Sequence, residues 1–260
     1  MNRTRRQLLA GISIAGAGAL LVGCGGLRDS SSTARNDEGN NNDEDNSKDG
    51  GSTDEPAGAT ITATEDLMRE HGILRRALLV YQESVIKLRD NAAAIPPDAL
   101  EKTAQLFRAF GEEYHEKKLE EAYVFPAVKK AGGPAASYAD VLILQHARGR
   151  EITDYVLSVT AAEKMTWRTS ADLVKALESF VRMYEHHAAI EDTVVFPAWK
   201  ATMDPKQLDE IGSKFEEIEQ EQFGEDGFEA AAKRIGEIEG SLGMADLGMF
   251  TAPAPPVAGK

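Results

Sequence analysis

Apolar residues between positions 60 and 203 recur every three to four places in four long stretches. That period is the mark of amphipathic helices packed against one another. The first helix is expected over about residues 64–91, with Leu67, Leu74, Leu78 and Val85 on one face. Thr62 and Glu65 have the spacing of a capping box at its start. Pro96-Pro97 separates it from a second helix over about 98–128, which Gly132-Gly133-Pro134 ends. A third helix is expected over 135–162, with Val141, Leu142, Val156 and Leu157 close to one face, and a fourth over 170–201. Four long helices with short connections predict an all-α, up-down-up-down four-helix bundle over residues 60–203. A C-terminal helical extension is expected over 204–250. It holds one helix opened by Asp204-Pro205 and another over 228–242. Residues 251–260 should be irregular. No stretch alternates with period two, so no sheet is expected.

Before the bundle the pattern changes twice. Residues 25–59 are dominated by Gly, Ser, Asn and Asp. Such a segment buries too little apolar surface to offset chain entropy, so a disordered acidic linker is expected. Residues 1–24 carry a basic start, an apolar run over 8–22 and then Cys24, the only cysteine. This is the layout of a secretory signal. Arg5-Arg6 before Gln-Leu-Leu resembles a twin-arginine export signal, and Leu21-Val22-Gly23-Cys24 resembles a lipobox whose cysteine is acylated. The apolar run falls short of the roughly 20 residues that span a bilayer. The expectation is an exported protein, lipid-anchored through Cys24 at the periplasmic or extracellular face, with no other membrane contact.

The formal net charge is −14. The first 23 residues hold three Arg and no acid, so the remainder carries −17. That balance argues against nucleic-acid binding. A lone cysteine leaves no intramolecular disulfide, so a core, a cofactor or both must hold the fold.

The chemistry lies in a repeat. EYHEKKLEEAYVFPAV (residues 113–128) and YEHHAAIEDTVVFPAW (184–199) align without gaps, 71 positions apart. They share His115/His186, Glu120/Glu191, and then Val, Phe, Pro and Ala. Upstream of each stands one more histidine, His71 and His146, so all five histidines belong to the doubled pattern. A repeated helix pair with ligands on facing helices is how a bundle builds a two-metal site.

Residues four apart share a helix face, so His187 and Glu191 can reach one centre. In the first repeat the residue four before Glu120 is Glu116, and His115 is five before it. Five residues turn an α-helix by an offset of about 140°. Either Glu116 is a ligand, or a local helix adjustment brings in His115, or both bind; regular spacing favours Glu116. His186 is a further metal or outer-contact candidate, and more simply a surface histidine. Glu112, Glu113, Glu121 and Asp192 are expected to face solvent or support ligands. Tyr114, Tyr123 and Tyr184 are expected to be structural. Tyr123, Val124, Val194 and Val195 could wall the metals from water. Six or seven His and Glu ligands are too many for one tetrahedral zinc and suit two octahedral ions, with iron and manganese both compatible.

The layout resembles the hemerythrin family: a lone His, a His-carboxylate motif, a second lone His and a second motif, each motif ending in Phe-Pro. The resemblance covers about residues 60–203. It implies a non-haem di-iron centre with His71, His146 and His187 as terminal ligands and Glu120 and Glu191 as bridges. It implies dioxygen, nitric oxide or peroxide as small ligands. A carboxylate at 116 would move the site toward the carboxylate-rich di-iron oxidases. Three functions therefore stand at this point: binding or sensing of dioxygen or nitric oxide; an oxidase, ferroxidase or peroxide-consuming activity; and a metal-stabilised interaction module. No protein partner or catalytic residue is indicated.

Overall fold

The structure is a computed structural model that describes residues 61–91, 95–160 and 167–256. The export signal, Cys24 and the acidic linker lie outside the described residues. Among those described, every regular element is helical, and no helix is long and apolar enough to cross a membrane.

Helix α1 spans Ala63–Asp90. Its start is fixed by a capping box: Glu65 N–H donates to Thr62 Oγ1, and Thr62 N–H donates to Glu65 Oε2 at 2.8 Å. Such a cap contributes about 1 kcal/mol. The second long segment begins as α2 (Pro97–Leu106), widens into a π-helical stretch (Phe107–Val124), and returns to α as α3 (Phe125–Ala131). A 3₁₀ turn at Pro134–Ser137 leads to α4 (Ala139–Thr160). The fourth segment is α5 (Trp167–Ile190), a short π-helical stretch (Glu191–Val195), and α6 (Phe196–Lys200).

These four segments form the core bundle, with α1 packed along α5 and the second segment along α4. Their apolar stripes meet in a column of buried aromatic rings. Phe180 lies 4.8 Å from Phe107 and 4.6 Å from Tyr184 between ring centroids, and Tyr81 meets its edge at 5.6 Å. Large rings held edge-on in this way contribute more than their buried area alone. The column fills the bundle on one side of the polar residues described below.

Two further helices, α7 (Pro205–Phe223) and α8 (Gly227–Ser241), pack on α1 and the second segment. Arg76 of α1 forms a two-pronged ion pair with Glu239 of α8. Phe215 of α7 stacks on Trp199 of α6 at 5.8 Å, with the ring planes 7° apart.

Candidate metal centre

Six buried side chains converge between the four segments: His71 from α1, His115 and Glu120 from the long π-helical stretch, His146 from α4, His187 from α5, and Glu191, which opens the short π-helical stretch. None is more than 4% exposed. Glu120 lies between the two halves of the group. Its Oε1 is 3.2 Å from His115 Nε2 and 3.9 Å from His71 Nε2, and its Oε2 is 3.4 Å from His146 Nε2. Glu191 Oε2 stands 3.1 Å from His187 Nε2 and 3.5 Å from His71 Nε2. His146 Nε2 and His187 Nε2 are 3.1 Å apart.

The backbone explains why His115 joins. In the π-helical stretch each turn closes over five residues instead of four. Phe125 N–H accordingly donates to the Glu120 carbonyl. Residues five apart then stack as residues four apart do in an α-helix, so His115 and Glu120 share a face. The widened turn recurs in the second repeat, where Phe196 N–H donates to the Glu191 carbonyl. Both sites lie beside a proline, Pro126 or Pro197, which has no N–H and disturbs the ladder. The geometry thus departs from the preference for Glu116 that regular α-helical spacing gives.

Each imidazole presents Nε2 to the centre and offers Nδ1 to an outer acceptor. His71 Nδ1 meets Asp192 at 2.7 Å, and His146 Nδ1 meets Glu121 at 2.9 Å. His115 Nδ1 meets Glu70 at 2.7 Å, and His187 Nδ1 meets Gln145 at 2.9 Å. Acceptors of this kind fix the tautomer and make the ligand nitrogen more basic. A second order shows in the pattern. The acid after each shared glutamate, Glu121 or Asp192, supports the lone histidine of another segment. The residue before each lone histidine, Glu70 or Gln145, supports the histidine of a repeat. Sequence reasoning missed Glu70 and Gln145; their shared place directly before His71 and His146 was the available signal. The repeat phenylalanines follow the same logic, with Phe125 against His146 at 5.6 Å and Phe196 stacked on His71 at 5.3 Å.

The electrostatics call for a cation. Burial opposes charge on Glu120, yet the neighbouring His115 and His146 hold its pKa well below the usual carboxylate value. Burial and Glu120 both work against charge on Glu191, and His187 with His71 outweighs them. Burial also opposes charge on the imidazoles, but the facing carboxylates raise His71, raise His115 strongly, and push His146 up to about 10. Two buried carboxylates can stay ionised only with positive charge between them. Protons on the rings supply it, and metal cations can take their place. Among the described residues, no hydrogen-bond partner meets either oxygen of Glu120, either of Glu191, or His115 Nε2. That is the arrangement ligand atoms need, so these residues fit a metal centre.

Glu116 is buried beside this group and forms, with Glu121 and His146, a third cluster that could hold an ion, though both its oxygens also accept hydrogen bonds. Tyr184 O–H donates to its Oε1 at 2.7 Å, and Arg150 donates to its Oε2 at 3.2 Å. Its nearest approach to His146 is 3.9 Å, and to Nδ1, the outward-facing nitrogen. Tyr184 reaches it through a notch at Gly149, where an added Cβ would stand 2.0 Å from the tyrosine oxygen. Glu112 is buried too, accepting from Thr153 and paired with Arg108, where Glu113 is exposed. His186 is exposed and belongs to none of the buried clusters among the described residues. A cavity of about 20 Å³ opens beside five of the six side chains, all but His146, and beside Glu116. Its apolar walls are Leu74, Leu78, Phe107 and Ala188. They replace the expected wall of Tyr123, Val124, Val194 and Val195, which packs into the core away from the cavity. The volume admits one or two atoms the size of a water oxygen.

A bundle that gathers four imidazoles and two carboxylates, each imidazole backed by its own acceptor, is a metal-binding helical protein. The chain belongs to the hemerythrin HHE cation-binding domain family, which matches residues 62–199. Uncharacterized proteins of Mycobacterium bovis and Mycobacterium tuberculosis are 43% identical over 192 residues, 74% of this chain and 74% of each relative. That likeness is longer than the family segment. No solved structure matches.

Proposed function

We propose that the protein is a non-haem di-iron protein of the cell envelope that binds or senses dioxygen or nitric oxide. The observation that carries the reading is Glu120, with one oxygen toward His71 and His115 and the other toward His146. A carboxylate so placed can bridge two ions. His71 and His115 would hold one, His146 and His187 the other, with Glu191 reaching both groups. Bound iron would supply reversible coordination of a diatomic ligand and one-electron chemistry.

The chain's own residues support binding over turnover. Four nitrogen and two carboxylate donors make a nitrogen-rich set, which favours the ferrous state relative to a carboxylate-rich one. The oxidase alternative drew on Glu116 as a donor, and each of its oxygens already accepts a hydrogen bond, from Tyr184 or Arg150, which lowers its strength as a ligand. The small cavity beside these residues is of a size that suits a diatomic molecule.

The test is metal analysis of the full chain, followed by an anaerobic-to-aerobic spectrum of the ferrous protein. Two irons per chain and a visible band that forms in air and fades under argon are expected. Irreversible oxidation with turnover would favour the enzyme, and manganese in place of iron would change the chemistry proposed. The envelope location rests on the residues before Ile61. Cys24→Ser should move the mature protein from the membrane to the soluble fraction, and unchanged partitioning would overturn the anchor.

A further inference from the structure

The helices α7 and α8 lie beyond residues 62–199, the segment matched by the family. We propose that this pair is a working part of the metal centre: it fixes His115, and so sets the affinity of one ion position and not the other. The inference rests on the two-ion reading above.

A chain of contacts leads from α7 to the ligand. Phe223, the last residue of α7, meets the ring of Tyr114 edge-on at 5.2 Å and that of Phe110 at 6.1 Å. Tyr114 is fully buried, and its O–H donates to Glu70 Oε1 at 3.1 Å. The other oxygen of Glu70 accepts from His115 Nδ1 at 2.7 Å. His115 Nε2 then faces the centre. One packed ring therefore holds the tyrosine that orients the carboxylate that orients the ligand.

The turn between the two helices is built to place that ring. Gly224 ends α7 with φ +69, in the left-handed region that glycine adopts at least cost. Asp226 caps α8, and Glu219 of α7 accepts from Phe228 N–H at 2.8 Å. Phe223 folds back over Gly227, where an added Cβ would stand 2.3 Å from Cδ2 of the ring. A side chain at 227 cannot coexist with Phe223 in this position. Arg69 of α1 covers Phe228 at 4.3 Å from its centroid, and Lys118, three residues after His115, donates to Gln222. These contacts hold the turn against the same part of the bundle.

The other three imidazoles are supported without the extension. His146 leans on Glu121 and, through it, Arg150; His187 on Gln145; His71 on Asp192 and Arg75. Outer contacts of this kind are worth about 10- to 100-fold in metal affinity. The extension's influence should thus fall on the His71–His115 position alone.

Tyr114 and Phe223 are positioning residues, and the test must separate positioning from general stability. Metal-free full-length protein is titrated anaerobically with ferrous iron against a chelator, so that the two binding steps are read separately. Tyr114→Phe keeps the ring and removes the donor to Glu70. It should weaken one step about tenfold and leave the other unchanged. Gly227→Ala, which displaces Phe223, should weaken the same step. In a His115→Ala background, Tyr114→Phe should have no effect on the remaining step. In a His187→Ala background its effect should persist. Equal weakening of both steps, no weakening, or an effect that survives in His115→Ala would overturn the proposal. If the unmodified chain takes up fewer than two ions, the two-ion reading fails and this inference falls with it. Two ions with an indifferent Tyr114→Phe would overturn this inference alone.

Discussion

In the first repeat the buried histidine of the centre, His115, stands five residues before its glutamate, and in the second His187 stands four before Glu191. On ideal α-helices those spacings would point the two histidines in different directions. In the structure they arrive at matching distances from their carboxylates, 3.2 Å and 3.1 Å. The extra residue is absorbed by the π-helical stretch, which in the first repeat runs from Phe107 to Val124 and in the second only from Glu191 to Val195. One-turn π segments are commonly found at functional sites. Here the longer one restores a symmetry that the sequence alignment breaks. The pair teaches that position in an alignment and position in space can differ by one residue inside an unbroken helical segment.

The strongest test of this shared geometry removes what the two repeats share. Glu120 faces both halves of the centre, so Glu120→Ala should abolish binding of both ions. Metal analysis checks it, and the melting temperature should lose its dependence on added metal. At a metal concentration 100 times the dissociation constant, each ion adds about 2.7 kcal/mol of stability. One ion retained at full affinity would show that the halves do not depend on a common bridge.

The next test separates His115 from Glu116. His115→Ala should cost one of the two ions, and Glu116→Gln should keep both, because the glutamine can still accept from Tyr184. Metals counted per chain decide between them. A larger loss in Glu116→Gln would restore the α-helical register and make the glutamate the ligand.

Much of this molecule is legible in its sequence. The helical period, Thr62 with Glu65, and the Gly132-Gly133-Pro134 break give an all-α core bundle with two helices after it. The doubled motif brings forward the clustered histidines and glutamates. What the sequence hid is what depends on backbone geometry. The apolar period of residues 107–124 reads as ordinary helix, and the Phe-Pro that follows, with His115 five before Glu120, leaves a helix adjustment as only one of several open readings. Glu70 and Gln145 were also hidden, since a polar residue beside a histidine is usually solvent-facing. Only the packing of two segments on each other turns Glu70 toward His115 and Gln145 toward His187.

Those two residues offer a finer contrast. His71 and His115 lean on carboxylates, and His187 leans on a neutral amide. A charged acceptor strengthens its hydrogen bond about twofold over a neutral one. Asp192→Ala should therefore weaken metal binding by about 10- to 100-fold, and Gln145→Ala by about tenfold or less. Chelator competition on each variant gives the ratio. Equal losses would mean that orientation of the ring matters and the acceptor's charge does not.

The last contrast concerns a residue at the edge of the first repeat that has no acidic counterpart at the edge of the second. Glu112, directly before the first repeat, is buried, and its counterpart 71 positions on, directly before the second, is the half-buried, apolar Met183. Burial raises the Glu112 pKa from 4.5 to about 7, against the pull of Thr153 and Arg108. An acid raised on folding keeps its proton in the folded state where the unfolded chain has lost it. Folding then binds protons between about pH 4.5 and pH 7, so stability falls as pH rises through that window. The full effect is on the order of 3 kcal/mol at most, since each tenfold change in proton affinity is worth about 1.4 kcal/mol. Urea unfolding of the chelator-treated protein at pH 5, 6, 7 and 8 reads the slope. Glu112→Gln keeps the acceptor for Thr153 but cannot ionise, so its stability should fall less steeply than that of the unmodified chain. Absolute stability is the poorer readout, because the variant also loses the Arg108 ion pair. Met183→Ala, directly before the second repeat, should lower stability by a constant amount at every pH. If Glu112→Gln and the unmodified chain fall in parallel, Glu112 does not titrate in this window, and the edges of the two repeats are more alike than their sequences suggest.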